Sequence, residues 1–270
     1  MAIVQQGVRF HELVEIMQRL LAPDGCPWDR EQTLQTLEPY LIEEAYEVLE
    51  AIDAGDAREH CDELGDLLFQ IVFQAELRAR EGKFGIDDVV GAIATKMTRR
   101  HPHVFADAKV KDSDEVLANW GKLKEAEHQE KGIKRRALEG VPVALPALLR
   151  AQRIGEKAAA VGFDWPDVAG VREKVTEELR EIDEAIAGGD AAQIEHEIGD
   201  LLLAVSRLSA KLGVAPEDAL RSALRRFQNR FEAMEDQVVA GGGQVNGTPL
   251  EELDRIWNLV KRAEASLPKK

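Results

Sequence analysis

The stretch 41–57, LIEEAYEVLEAIDAGDA, returns at 175–191 as VTEELREIDEAIAGGDA. After a gap of four residues in each copy, DELGDLL at 62–68 is matched by HEIGDLL at 196–202. A single offset of 134 positions relates Glu43, Glu44, Glu47, Glu63 and Asp66 to Glu177, Glu178, Glu181, Glu197 and Asp200. Solvated acidic faces drift in spacing, so a gap-free acidic register suggests a site. Each copy reads E-E-x-x-E, fifteen residues, then E-x-x-D.

Both halves of the motif read as helices. Leu41, Ala45, Val48, Leu49 and Ile52 recur at three- and four-residue spacing, as do Leu64, Leu67, Leu68, Ile71 and Val72. Ala54-Gly55-Asp56, and Gly188-Gly189-Asp190 in the second copy, mark the turn between them. A short connection favours antiparallel packing. In such a hairpin Glu47 lies level with Glu63 and Glu44 with Asp66; Glu181 lies level with Glu197 and Glu178 with Asp200. The two level pairs are one helical turn, ~5 Å, apart, and the i, i+3 spacing holds the acids of each helix on one face at the edge of the apolar stripe.

Such a cluster needs a cation. Two like charges ~6 Å apart at an effective dielectric of ~20 repel by roughly 3 kcal/mol, and four carboxylates contain several such pairs. All-oxygen ligands without Cys or His favour Mg²⁺, Mn²⁺ or Ca²⁺ over zinc. Mg²⁺ held by a few carboxylates keeps positions open for water and substrate phosphates, which makes phosphate chemistry the leading idea. Two alternatives stand beside it. Acid-rich helices are commonly solvated faces, a reading the doubled register weakens. A diiron bundle wants Glu-x-x-His on two helices, whereas His60 and His196 directly flank acids.

Apolar helical periodicity dominates the 270 residues and no long β-branched alternation appears, so the expected class is all-α, in two tandem repeated helical-bundle domains. The division expected is 1–132 and 147–270, joined by a linker at 133–146 that carries Lys134-Arg135-Arg136, Gly140, Pro142 and Pro146. The net charge of −15 argues against binding of nucleic-acid polymers, whose affinity rests on Lys and Arg. Cys26 and Cys61 are too few for a disulfide framework. No signal pattern and no apolar run of ~20 residues is read, so the expectation is a cytoplasmic protein without a membrane partner.

Candidate phosphate-binding cations follow each hairpin. Lys96 and Arg100 correspond to Arg226 and Arg230 at an offset of 130, while Arg99 faces Asn229. Basic residues at i and i+4 could hold a polyphosphate, or form an ion-paired face. Lys174, one turn before Glu178, is a further candidate that could instead simply pair with that acid. Trp120 with Lys124, and Trp257 with Lys261, could stack a base and touch a phosphate, or be core tryptophans. Trp28 in CPWD (26–29) and Trp165 in GFDW (162–165) could line a base pocket or anchor the first helix of each domain.

Together these residues resemble the MazG-type nucleoside triphosphate pyrophosphohydrolases of the all-α NTP pyrophosphatase superfamily. The resemblance rests on CPWD, LIEEAYEVLE (41–50), DELGDLL, RRHPHVF (99–105) and AAAVGFDW (158–165). It implies Mg²⁺-dependent cleavage of nucleoside triphosphates between the α- and β-phosphates, with Mn²⁺ a possible substitute, broad tolerance of the base, and homodimers whose subunits complete each bundle. By motif position it implies Glu44, Glu47, Glu63 and Asp66 as first-domain metal ligands and Glu178, Glu181, Glu197 and Asp200 as those of the second. In two-domain members catalysis is associated with the C-terminal half, which makes Glu177, Glu178 and Glu181 the catalytic candidates, with Glu177 orienting water. Lys174, Arg226, Arg230, Lys261 and Trp257 would serve the substrate there, and Arg99, Arg100, Trp120 and Lys124 the first domain. The alternatives are a catalytically silent nucleotide-binding regulatory dimer, or a narrow house-cleaning enzyme for non-canonical or deoxy nucleotides.

Overall fold

The computed structural model describes residues 9–112, 115–116, 119–120 and 136–265. Among them every regular element is a helix. The chain divides into two compact units, Met1–Lys131 and Gly132–Lys270.

The first unit is built on α3 (Leu34–Ala54) and α4 (Ala57–Arg80). Thr33 opens α3 with a reciprocal cap: its hydroxyl accepts from the Thr36 backbone N–H, and the Thr36 hydroxyl accepts from that of Thr33. Gly55 ends it at φ 72°, a left-handed conformation open to glycine. Asp56 then caps α4 through Arg58 and Glu59 N–H. With a glycine backbone closing one helix and the next residue's carboxylate opening another, the turn folds α3 and α4 into an antiparallel pair. Helix α1 (Phe10–Leu20) packs against α4, and α5 (Ile86–Arg100) lies along it. Short helices α2 (Pro27–Glu31) and α6 (Pro102–Phe105) complete the unit. Its core is one buried cluster of Val14, Met17, Leu21, Leu37, Val72 and Phe73.

The second unit repeats the plan. Helix α7 (Ala147–Ala160) precedes the hairpin of α8 (Val168–Gly188) and α9 (Ala191–Lys211), followed by α10 (Pro216–Ala240) and α11 (Leu250–Ala265). Asp167 caps α8 where Thr33 caps α3, Gly189 turns at φ 71°, and Asp190 caps α9. Helix α7 packs on α9 as α1 packs on α4. A separate cluster of Met234, Val238, Ile256 and Val260 joins α10 to α11.

The hairpin core positions differ between the copies. Leu37, Tyr40, Val72, Phe73 and Leu77 stand 134 positions before Val171, Lys174, Ser206, Arg207 and Lys211. Phe73 is 1% exposed, whereas a basic side chain occupies the matching place in the second unit. Each hairpin also leaves large apolar side chains exposed, among them Leu64, Leu68 and Ile71 in the first and Ile198 and Leu202 in the second.

Phe73→Ala should therefore destabilise the first unit by about 3–5 kcal/mol, through lost burial and the cavity left behind. Urea unfolding followed by circular dichroism measures this. A loss below about 1 kcal/mol, the range of ordinary surface changes, would show that the cluster is not what holds the unit together.

Candidate acidic metal centres

The hairpins bring the acids together at the level the spacing requires. In the first unit Glu44, Glu63 and Asp66 each offer a carboxylate oxygen within 4.8 Å of the others; in the second, Glu178, Glu197 and Asp200 do the same. The remaining acid of each set stands beside the trio. Glu47 lies close enough to Glu44 to raise its proton affinity, and Glu178 and Glu197 do the same to Glu181.

Charge crowding shows in proton affinity. Burial first, then Asp66, Glu47 and Glu63, push the Glu44 carboxyl above its ordinary value. Burial, Glu47 and Asp66 do the same to Glu63. In the second unit burial, Glu178, Glu177 and Glu197 push Glu181 up, and Lys174 acts in the opposite direction.

The two centres are not equivalent. Glu178 is 2% exposed and Glu197 is 6% exposed, whereas Asp66 of the first centre is open to solvent. Lys174 Nζ lies 2.6 Å from Glu178 Oε1 and 3.2 Å from Glu177 Oε1, and the pairing raises its own pKa. Gln193 Nε2 donates to Glu197 Oε1 at 2.8 Å, and His196 Nε2 is 3.4 Å from Asp200 Oδ2. After these contacts Glu178 Oε2 remains buried without a hydrogen-bond partner. A buried carboxylate oxygen with no donor is costly, and this one belongs to the acid trio. A hard divalent cation fits it, since every donor of the trio is a carboxylate oxygen. Tyr40 occupies the first-unit position of Lys174 and packs edge-on against Trp28 at 5.8 Å, so the first centre has no cation there.

Beside the second centre is a cavity of about 290 Å³ walled by Ile154, Ala158, Phe163, Trp165, Leu203 and Arg207, and bordered by Lys174, Glu178 and Asp200. Arg207 donates to Asp164 at 2.5 Å, and its guanidinium carbon lies 6.0 Å from the centre of the Trp165 ring. Lys211 Nζ holds the other Asp164 oxygen at 2.7 Å. A hydrogen bond from Lys211, and the nearby Arg207 charge, press the Asp164 carboxyl below its ordinary range. Gly155 leaves the space Arg207 fills: a Cβ there would stand 2.0 Å from the guanidinium. Sequence reading singled out Trp165 but not Phe163, Asp164 or Arg207. Aligning the copies would have flagged Arg207, a charge opposite Phe73 inside an apolar stripe.

The other candidate substrate residues make their contacts elsewhere. Arg230 pairs with Glu264 at 2.5 Å. Trp257 packs against Phe227 at 5.2 Å beside the α10–α11 cluster, and Arg226 and Lys261 are exposed. Trp120 Nε1 donates to the Arg100 carbonyl at 3.0 Å, and its ring meets His101 edge-on at 5.2 Å. Arg99 is exposed and engaged with a neighbour. Lys124 lies outside the described residues.

Comparison with known proteins matches residues 32–105 and 168–234 to the MazG nucleotide pyrophosphohydrolase domain. The chain is 46% identical over 258 residues to an Escherichia coli K12 protein named nucleoside triphosphate pyrophosphohydrolase, covering 94% of this chain and 98% of that one. It is 44% identical over 258 residues to the Thermotoga maritima nucleoside triphosphate pyrophosphohydrolase/pyrophosphatase MazG, covering 95% and 97%. A Mycolicibacterium smegmatis nucleoside triphosphate pyrophosphohydrolase is 33% identical over 241 residues, covering 81% of this chain and 70% of its own length.

The crowding has a measurable consequence. A carboxyl whose proton affinity is raised on folding lowers stability as pH rises from the ordinary value of 4.5 through the raised one. At neutral pH without divalent metal, Glu181→Gln should therefore raise the thermal midpoint, and the gap should close towards pH 4.5. Mg²⁺ should raise the wild-type midpoint more than that of the variant. Scanning fluorimetry across pH, with and without Mg²⁺, reads all three effects; a variant less stable than wild type at pH 7 without metal would contradict the account.

Proposed function

We propose, because the chain belongs to the MazG nucleotide pyrophosphohydrolase family and carries a buried carboxylate trio with an orphaned oxygen, that it hydrolyses nucleoside triphosphates to nucleoside monophosphate and pyrophosphate. The observation that supports this most directly is the second acid centre. Glu178, Glu197 and Asp200 would hold a divalent cation, Mg²⁺ or Mn²⁺ by donor chemistry, with Glu181 beside them. The ion, when bound, supplies Lewis acidity to the phosphoryl oxygens and offsets the charge of the departing pyrophosphate.

The chain's own groups supply the rest. Glu177, which shares the Lys174 ammonium with Glu178, would orient the attacking water. The water oxygen bonds to the α-phosphorus, the bond from that phosphorus to the bridging oxygen breaks, and the water proton passes to a carboxylate of the cluster. Lys174, partly exposed, can turn from the acids towards a phosphate oxygen as the carboxylates take up metal. The first centre offers the same acids but neither Lys174 nor Arg207, and we assign turnover to the second unit.

The hairpins carry several large apolar side chains on outward faces, which supports a homodimer. Arg226, Arg230, Trp257 and Lys261 on the α10–α11 hairpin are then candidates to meet substrate held by the partner copy. No helix among the described residues is long and apolar enough to cross a membrane, and a cytoplasmic enzyme is the reading we adopt.

The test is product analysis. ATP with Mg²⁺ should yield AMP and pyrophosphate in equal amounts, with no ADP, and chelation should stop the reaction. Glu178→Gln should reduce kcat by about 10³-fold, the scale of losing a charge-stabilising group at the reacting centre. Release of orthophosphate and ADP, or full activity in Glu178→Gln, would contradict the proposal.

A further inference from the structure

The acids of the two units lie in one register, but one position on the first hairpin helix sets a different group against them. In the second unit α8 puts Lys174 one turn before Glu178; in the first, α3 puts Tyr40 one turn before Glu44. Tyr40 meets the Trp28 ring and brings no charge. Lys174 Nζ lies 2.6 Å from Glu178 Oε1 and 3.2 Å from Glu177 Oε1. Its charge reaches Glu181 too, where it opposes the rise in proton affinity that burial and the neighbouring acids cause. The second acid centre thus carries a resident cation where the first has an aromatic ring.

Two cations compete for this centre. The carboxylate that Lys174 holds is one of the trio that a divalent ion would use. Like charges in close approach repel strongly where water is excluded, and Glu178 is only 2% exposed. Glu178 is fixed in its buried place, so the lysine is the partner that moves. Its side chain is 36% exposed, on a flexible four-carbon stem. The cavity of about 290 Å³ at its side gives the ammonium room to swing clear of the acids. Without metal, however, such a departure would leave a buried charge unpaired, which is strongly unfavourable. A polyphosphate changes the balance, because it offers the ammonium new charge-assisted partners and brings its own oxygens to the ion.

We infer that Lys174 is a resident counter-ion, which the second centre exchanges for a divalent metal when a polyphosphate arrives to receive the ammonium. This rests on the pyrophosphohydrolase reading above for the class of anion. Metal and triphosphate then load together, and each tightens the other by the same factor, because coupling between two bound ligands is reciprocal. When the anion leaves, Lys174 returns to Glu178 and the ion is released. The centre therefore holds the bare metal weakly between turnovers. Lys174 acts on the ion through the carboxylate the two would share, not by touching it.

The test is Mn²⁺ binding to the full chain, read from the electron paramagnetic resonance signal of the free ion. Glu63→Gln and Asp66→Asn, present throughout, silence the first centre. In that background Lys174 is compared with Lys174→Met, which removes the charge, and Lys174→Arg, which keeps it. For Mn²⁺ alone, Lys174→Met should bind about 5- to 150-fold more tightly, the usual span of coupling between sites, and Lys174→Arg should stay near the parent. For preformed Mn²⁺–tripolyphosphate, followed by calorimetry, Lys174→Met should lose affinity, since no ammonium meets the anion. A gain and a loss in one variant are signs that neither a damaged fold nor a plain phosphate contact produces together. Lys174→Gln, which keeps a donor for Glu178 without the charge, reads the same Mn²⁺ gain if the Met variant fails to fold.

Mn²⁺ affinity that falls or stays unchanged in both neutral variants would overturn the exchange. So would a gain in Lys174→Arg equal to that in Lys174→Met, or undiminished binding of Mn²⁺–tripolyphosphate by the neutral variants, which would remove the anion's part. Neither titration involves turnover, so the two proposals fail separately. A chain that shows the exchange but releases no pyrophosphate from ATP refutes the activity and leaves the counter-ion standing.

Discussion

The second unit is arranged around a carboxylate, Glu178, that is nearly sealed from water and only half satisfied. Lys174 takes one oxygen and nothing takes the other. Burying a charge is expensive unless it is paired, and Glu197 and Asp200 add like charge within 4.8 Å. A fold tolerates such a centre where a bound cation returns the cost. The hairpin supplies the rigidity: aspartate caps and a left-handed glycine fix the turn, and the turn fixes which acids lie level. The proposed metal requirement thus follows from helix geometry as much as from the acidic residue types.

Duplication has kept that geometry and changed its surroundings. Both copies retain the trio, the turn and the caps, but the second exchanges Tyr40, Phe73 and Leu77 of the first for Lys174, Arg207 and Lys211. These exchanges set Lys174 on the acids and put charged side chains, paired with Asp164, where the first unit has apolar ones. The first unit gains a closed apolar cluster, and the second gains a cavity that opens on its acid centre. One unit has kept the better core and the other has the better site. That division is consistent with the general tension between packing and function.

Much of this was legible in the chain. The all-helical class followed from apolar spacing around Leu41–Ile52 and Leu64–Val72, and the hairpin turn from Gly55-Asp56 and Gly189-Asp190. The antiparallel register alone put Glu44 opposite Asp66 and Glu178 opposite Asp200. What stayed hidden depends on side chains that are small or absent. A cavity beside Ala158, with Arg207 laid against Gly155, leaves no periodic signal, and Arg207 is seen as unusual only against Phe73. Trp257 and Arg230 have sequence spacing suited to substrate contact, but within the chain they meet Phe227 and Glu264. Which surface a helix pair turns towards a ligand depends on packing that local spacing does not encode.

The central claim is that identical acid registers serve different ends in the two units, and paired turnover measurements of Glu47→Gln and Glu181→Gln test it most directly. These residues occupy the same place in each hairpin, so any difference arises from their surroundings. The account predicts that Mg²⁺-dependent pyrophosphate release from ATP survives in Glu47→Gln and collapses in Glu181→Gln. Collapse in Glu47→Gln with activity retained in Glu181→Gln would move the chemistry to the first unit and contradict the assignment.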